Sequence, residues 1–92
     1  MEKKDIINEA NELIEKECKD LVEFLKRKNK DYQASSFRGI KLLERNEARI
    51  LDKIYRLLNE CEGRQEMNFN EDTTKDLCGY LIIRIVLLKY GK

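Results

Sequence analysis

Residues 71–90 read EDTTKDLCGYLIIRIVLLKY, and the conformation of this stretch decides the fold class. Residues 81–88 within it are apolar except for Arg84, and their Ile and Val content would also suit a β-strand. The apolar run is too short to span a bilayer, which takes about 20 apolar residues in a helix. The residues on either side of the run therefore have to distinguish strand from helix.

The flanking residues carry the signals of a helix. Asn70 is a good N-cap residue, and Glu71 and Asp72 follow it where the helix dipole is positive. Apart from one glycine, no helix breaker separates them from the apolar run, and Gly91 suits a helix end. We therefore predict a helix over residues 71–90.

Two further stretches, residues 4–28 and 39–60, have the apolar periodicity of amphipathic helices. The apolar stripe of the second stretch consists of Leu43, Ile50, Ile54 and Leu57, and Cys61 continues it just beyond the stretch. Proline is absent, and no linker or repeat divides the chain. The sequence predicts one all-α domain over residues 1–92, a bundle of three helices with four as the alternative.

The third predicted helix is apolar on nearly every side, so it needs cover on more than one side. A chain of 92 residues buries only a thin core, and oligomerisation is a common remedy. We expect a homo-oligomer that packs through this helix. The alternative is that the other two helices cover it.

The composition excludes several classes of function. The chain has 19 basic and 18 acidic side chains, so its net charge of +1 gives no bulk attraction to nucleic acid or anionic membranes. Any anion site must be a local cluster. The chain has no His, which removes Ser–His and Cys–His nucleophilic catalysis and histidine metal ligands.

The three cysteines, Cys18, Cys61 and Cys78, are widely spaced and form no CxxC pair. We expect reduced, buried thiols in a cytoplasmic protein rather than a zinc or redox site. No apolar signal segment follows Met1, which favours the same location.

Residues 29–38, NKDYQASSFR, connect the first two predicted helices and concentrate side chains suited to a nucleotide. Tyr32 and Phe37 can stack on a base, Ser36 can donate to a phosphate, and Asp31 can accept from a sugar hydroxyl or hold a metal. The alternative is an ordinary turn, in which Asp31 and Ser36 cap helices and the two rings anchor the turn.

The second predicted helix carries a cluster of cations. Arg49, Lys53 and Arg56 fall at i, i+4 and i+7 and share one face, with Asp52 within reach of both arginines. This pattern indicates a local anion site; the alternative is a solvated, salt-bridged face.

The third predicted helix opens with Asp72 and Asp76, one turn apart. Like charges at this spacing are destabilising by about 0.2–0.5 kcal/mol. A divalent cation such as Mg²⁺, or cations of the second helix, would offset the repulsion. A solvated acidic helix start is the remaining interpretation.

Four motifs occur in a fixed order: Lys28-Asn29-x-Asp31-Tyr32, Ser36-Phe37, Arg49-x-x-Asp52-Lys53-x-x-Arg56, and Asp72-x-x-x-Asp76-x-x-x-Tyr80. Together they resemble the phage and bacterial nucleotide modification associated domain 1 family over about residues 26–88. The resemblance implies a nucleotide site built from these residues. The family commonly has Gly after the Tyr, where this chain has Gln33.

That family is distantly similar to the all-α MazG-like NTP pyrophosphohydrolases, which hold Mg²⁺ on a triphosphate with two acidic motifs. Asp72 and Asp76 would match the second motif, but the first, EExxE, is missing. Glu44 and Glu47 are of the right type, yet cations surround them, and a catalytic Mg²⁺ site needs several oxygen ligands.

Three functions follow as hypotheses. The first is a phage-type, anti-defence binding module that sequesters a linear or cyclic nucleotide, or a nucleotide-derived signal, in the host cytoplasm without a required cofactor. The second is a Mg²⁺-dependent nucleoside triphosphate pyrophosphohydrolase. The third is a structural helical interaction protein. The missing acidic motif favours the first.

Overall fold

The computed structural model describes residues 3–62 and 71–91, with the backbone alone for residues 3, 4, 71 and 72. The elements in chain order are α1 (Lys3–Asp31), a single 3₁₀ turn (Ser35–Phe37), α2 (Leu42–Glu62) and α3 (Glu71–Tyr90). The described residues contain no strand, so the predicted all-α class is confirmed. The proposed N-cap, Asn70, lies outside the described residues.

The chain divides into two compact units, Met1–Gln33 and Ala34–Lys92. The first unit is α1 and the turn that follows it. α1 continues to Asp31, so the prediction that a loop begins at Asn29 is wrong. The extension has a local cause: Lys28 and Lys30 lie in the last turn, at the negative end of the helix dipole. The Lys28 Nζ also lies 4.8 Å from the centre of the Phe24 ring.

In the second unit, α2 begins at Leu42, three residues later than predicted. Gly39 has a φ of +104° and Lys41 a φ of +54°, and neither conformation can be part of a right-handed helix. Residues 38–41 therefore form an irregular turn before the first helical residue.

The contact between α2 and α3 combines apolar and polar residues. Six side chains of α2 are buried or half-buried and all others are exposed; the six lie at positions 42, 46, 50, 53, 57 and 60. Three of these are polar and repeat every seven residues: Asn46, Lys53 and Glu60. Their partners on α3, in the same order, are the main-chain oxygen of Tyr80, the carboxylate of Asp76 and the hydroxyl of Thr73. The two helices are antiparallel, because the partner numbers fall as the α2 numbers rise. We call these three contacts the polar ladder.

The distances in the polar ladder are short. Asn46 Nδ2 donates to the Tyr80 oxygen at 3.0 Å, and Lys53 Nζ lies 3.2 Å from Asp76 Oδ2. Thr73 Oγ1 donates to Glu60 Oε1 at 3.0 Å. Each contact joins a residue of α2 to one of α3, so the polar ladder sets how the two helices align lengthwise.

Few apolar side chains of α2 and α3 are fully buried. Among the described residues, Ile50 and Leu87 are the hydrophobic side chains that are buried. The predicted apolar stripe of α2 is correct for Ile50 and Leu57 but wrong for Leu43, Ile54 and Cys61, which are exposed. Residues of the polar ladder occupy the inward positions in their place.

The cysteines correct another prediction. Cys18, Cys61 and Cys78, all of which the structure describes, are not joined in disulfides, but they are exposed rather than buried. The small core explains this result, because the described helices leave few fully enclosed positions for any side chain.

α3 has one covered side and one exposed side. Leu87 is buried, whereas Leu81, Ile82, Ile85 and Leu88 are exposed. Arg84, which interrupts the apolar run, donates from Nη1 to Glu47 Oε1 at 3.0 Å. In the part of the chain that the structure describes, no helix is both long and apolar enough to cross a bilayer.

Asn46 provides a test of the polar ladder. Its side chain is 5% exposed, and its Oδ1 accepts no hydrogen bond from the described residues. We expect Asn46→Asp to lower the free energy of unfolding by about 2–4 kcal/mol, because it buries a charge against the Tyr80 oxygen. Asn46→Leu should change it by less than about 1 kcal/mol, because it removes the unsatisfied oxygen as well as the donor. Urea denaturation followed by circular dichroism measures both; equal stabilities of the two variants would contradict this role.

Candidate functional site

An open groove of about 510 Å³ lies in the second unit, along α2 and α3. Its lining residues are Arg45, Ala48, Arg49, Asp52, Lys53, Arg56 and Tyr80. Four cations and one carboxylate therefore line the groove, which makes it attractive to anions although the chain as a whole is nearly neutral. Five of the predicted ligand-binding residues come together here.

Arg49 and Tyr80 bring a planar guanidinium and an aromatic ring to the lining of the groove. The Arg49 guanidinium carbon lies 5.9 Å from the centre of the Tyr80 ring, at the outer limit of a cation–π contact. Tyr80 is half-buried, and its main-chain oxygen accepts the hydrogen bond from Asn46. The polar ladder thus positions the aromatic side of the groove.

Arg56 and Asp52 form an exposed ion pair one turn apart on α2. Arg56 Nε lies 3.5 Å from Asp52 Oδ2, and about 60% of each side chain is exposed. Such pairs contribute about 0.3–0.5 kcal/mol. A phosphate could therefore displace Asp52 from Arg56 at little cost.

Lys53 lies deeper in the groove and belongs to the polar ladder as well. Only 14% of its side chain and 18% of that of Asp76 are exposed. The sequence predicted that either Mg²⁺ or a cation of the second helix would offset the repulsion between Asp72 and Asp76. Lys53 of α2 is such a cation, and it pairs with Asp76. The Asp72 side chain lies outside the described residues.

Arg45 and Ala48 line the groove but were not among the predicted site residues. Arg45 donates from Nη1 to the main-chain oxygens of Arg38 and Ile40 and from Nη2 to that of Ser35. Its position four residues before Arg49 was a usable signal, because i and i+4 share a helix face. The hydrogen bonds to the preceding turn have no sequence signature.

The other predicted ligand-binding residues lie elsewhere. Lys28, Asn29 and Asp31 are in the last turn of α1, and Tyr32 follows it; all four belong to the first unit. Ser36 and Phe37 are half-buried in the 3₁₀ turn and do not contribute to the lining of the groove. Apart from Arg45 and Ala48, the residues that line the groove come from the third and fourth motifs.

The predicted metal residues are Asp72 and Asp76. In the described part of the chain, no three acidic or cysteine side chains gather as a metal site would require. The carboxylates of the groove region are matched with cations instead, Asp52 with Arg56 and Asp76 with Lys53. Mg²⁺ would have to compete with these cations for its ligands.

Comparison of the chain with protein-family models, with curated proteins and with solved structures finds no match.

The two ion pairs allow a comparison within one molecule. We expect a double-mutant cycle on Lys53→Met and Asp76→Asn to give a coupling energy of about 1–3 kcal/mol, because water screens this pair poorly. The matched cycle on Arg56→Met and Asp52→Asn should give about 0.5 kcal/mol or less. Urea denaturation of the seven proteins, the wild type being common to both cycles, measures both. Equal coupling energies would show that burial does not strengthen the Lys53–Asp76 pair.

Proposed function

We propose that this chain is a binding module that holds a phosphorylated nucleotide in the groove along α2 and α3. The observation that carries the proposal is the excess of four cations over one carboxylate in a groove that Tyr80 also lines. Arginine can meet phosphate oxygens with two parallel hydrogen bonds, and its planar group can stack on a base. The volume of the groove lies within the range of about 300–1,000 Å³ for small-molecule sites.

The resemblance to the nucleotide modification associated domain 1 family supports the same ligand class. It also motivates the finer parts of the proposal: a phage origin, capture of a linear or cyclic nucleotide signal, and a cytoplasmic location. In this proposal Arg49 and Arg56 make the principal phosphate contacts, because both are exposed. Lys53 contributes charge from a deeper position beside Asp76.

Binding is favoured over hydrolysis because the carboxylates near the groove are paired with cations. A metal-dependent pyrophosphohydrolase needs acidic side chains that converge on Mg²⁺ and an activated water. Here Asp52 and Asp76 each have a cationic partner. The cations serve a bound phosphate directly and require no metal for it.

Binding of adenosine monophosphate, with adenosine as the uncharged comparison, tests the proposal by calorimetry. We expect the monophosphate alone to bind. Arg49→Gln and Arg56→Gln should each weaken the affinity about 10- to 100-fold, because a charge-assisted hydrogen bond contributes about 1.5–3 kcal/mol. Lys89→Gln removes an exposed cation of α3 outside the groove and serves as the matched control. An equal loss in Lys89→Gln, or equal binding of adenosine, would contradict the proposal.

Asp52→Asn in the same titrations separates binding module from enzyme. If phosphate meets Arg56 directly, removal of the competing carboxylate should tighten binding several-fold, and a chelator should have no effect. If Asp52 holds Mg²⁺ for hydrolysis, the substitution should weaken binding. Chromatography after incubation with nucleoside triphosphates and Mg²⁺ should then show released pyrophosphate in the wild type.

Self-association through α3 is the second part of the proposal. Leu81, Ile82, Ile85 and Leu88 are exposed and follow one another along one side of α3. Exposed apolar patches of this kind commonly mark protein contacts, and a homo-oligomer is the partner that the sequence favours. The same stripe would serve a purely structural interaction protein, which is the function left if no nucleotide binds.

The subunit count tests this part. We expect the wild type to sediment as an oligomer at micromolar concentration and Ile85→Glu to sediment as a monomer, because a buried Glu at the contact would lack a partner. Ile40→Glu places the same charge on an exposed residue outside α3 and should not change the subunit count. A monomeric wild type would contradict self-association.

A further inference from the structure

The Arg45 side chain binds the backbone of the residues that directly precede α2. Its Nη1 donates to the oxygen of Arg38 at 3.0 Å and to that of Ile40 at 3.3 Å, and its Nη2 donates to the oxygen of Ser35 at 2.9 Å. One side chain on the first turn of α2 therefore binds three carbonyls spread over six residues. We call residues 35–41 the clamped loop.

The clamped loop needs this support because its backbone is strained. Lys41 has a φ of +54°, and Ala34, just before the loop, has a φ of +57°, a region that L-residues with side chains avoid. Gly39 has a φ of +104°, and a Cβ atom there would lie 2.9 Å from Arg45 Nη1. The absence of a side chain at Gly39 thus leaves space for the guanidinium.

The hydrogen bonds of Arg45 leave one edge of its guanidinium open. The group has five N–H donors. Both donors of Nη1 and one of Nη2 serve the clamped loop. The Nε donor and the second Nη2 donor have no acceptor among the described residues. Arginine binds phosphate oxygens through donors of this kind.

We propose that Arg45 couples the clamped loop to the ligand: one side of the guanidinium holds the loop while the other binds phosphate in the groove. Arg45 lines the groove, so a single side chain belongs to both. The proposal rests on the proposed function of the groove. It requires that ligand binding and loop order strengthen each other, because coupling between two sites is reciprocal.

Hydrogen exchange with adenosine monophosphate as the probe tests the first direction. In the wild type, saturating monophosphate should slow exchange at the Phe37 and Arg38 amides, which donate to the oxygens of Ala34 and Ser35, by at least about threefold. In Arg45→Lys, which keeps the charge but cannot bridge, this slowing should disappear even at saturation. Arg49→Lys is the matched control: it should weaken affinity but keep the slowing at saturation.

Substitutions outside the groove test the reverse direction. Gly39 does not line the groove, yet Gly39→Ala should weaken binding of the monophosphate about 10-fold, because the added Cβ displaces Nη1. Ala34→Gly relieves strain next to the loop without touching Arg45 and should bind at least as tightly as the wild type. Circular dichroism establishes that each variant is folded; if Gly39→Ala is not, Arg45→Lys decides.

The outcomes separate this proposal from the proposed function. If the wild type does not bind the monophosphate, the proposed function and the coupling both fail. If the wild type binds it but loop exchange is unchanged, or Arg45→Lys retains the slowing, the coupling alone is overturned and the groove remains a phosphate site.

Discussion

The antiparallel contact of α2 with α3 depends on the polar ladder more than on apolar packing. Apolar packing is non-directional, so the half-buried Leu42 and Leu57 and the buried Ile50 and Leu87 do not by themselves define a lengthwise alignment. Directional contacts do, since a shift by one helical turn would separate Lys53 from Asp76 and leave both charges poorly solvated. The groove follows from this alignment, because its lining comes from both helices.

Lys53 shows how closely structure and candidate site are joined. It lines the groove and also forms the central contact of the polar ladder. Its removal would therefore change stability and affinity together, whereas Arg49 and Arg56 are exposed and, among the described residues, neither forms an ion pair with α3. Functional measurements on this chain are most informative at residues that belong to the groove alone.

Arg45, like Lys53, has two roles, because it lines the groove and also binds the clamped loop. Arg45 lies at the start of α2, beside a turn with several positive φ angles, and its side chain reaches back over that turn. An arginine suits this place because its rigid group presents several donors in one plane, which a lysine cannot do. A small domain with a thin core gains local order from such contacts where apolar burial is limited.

Local signals in the sequence were sufficient for much of the fold. The acidic helix start and the uninterrupted run up to Tyr90 gave the bounds of α3 correctly, and periodicity gave the all-α class. The cationic cluster of the groove was also visible, because i, i+4 and i+7 spacing places side chains on one face of any helix. The irregular turn before α2 was missed because positive φ at Lys41 has no residue-type signature.

Only the tertiary structure decided which faces meet. Apolar periodicity assigned Leu43 and Ile54 to the core, yet Asn46 and Lys53 occupy inward positions there, because each has a partner on α3. The Asn46–Tyr80 contact joins residues 34 positions apart. Helix formation depends on residues within a few positions of one another, so the sequence by itself determined the helices and their charged faces. Whether a polar residue at a helix contact stabilises the fold depends on a hydrogen-bond or charge partner, and that partner comes near only when the helices pack.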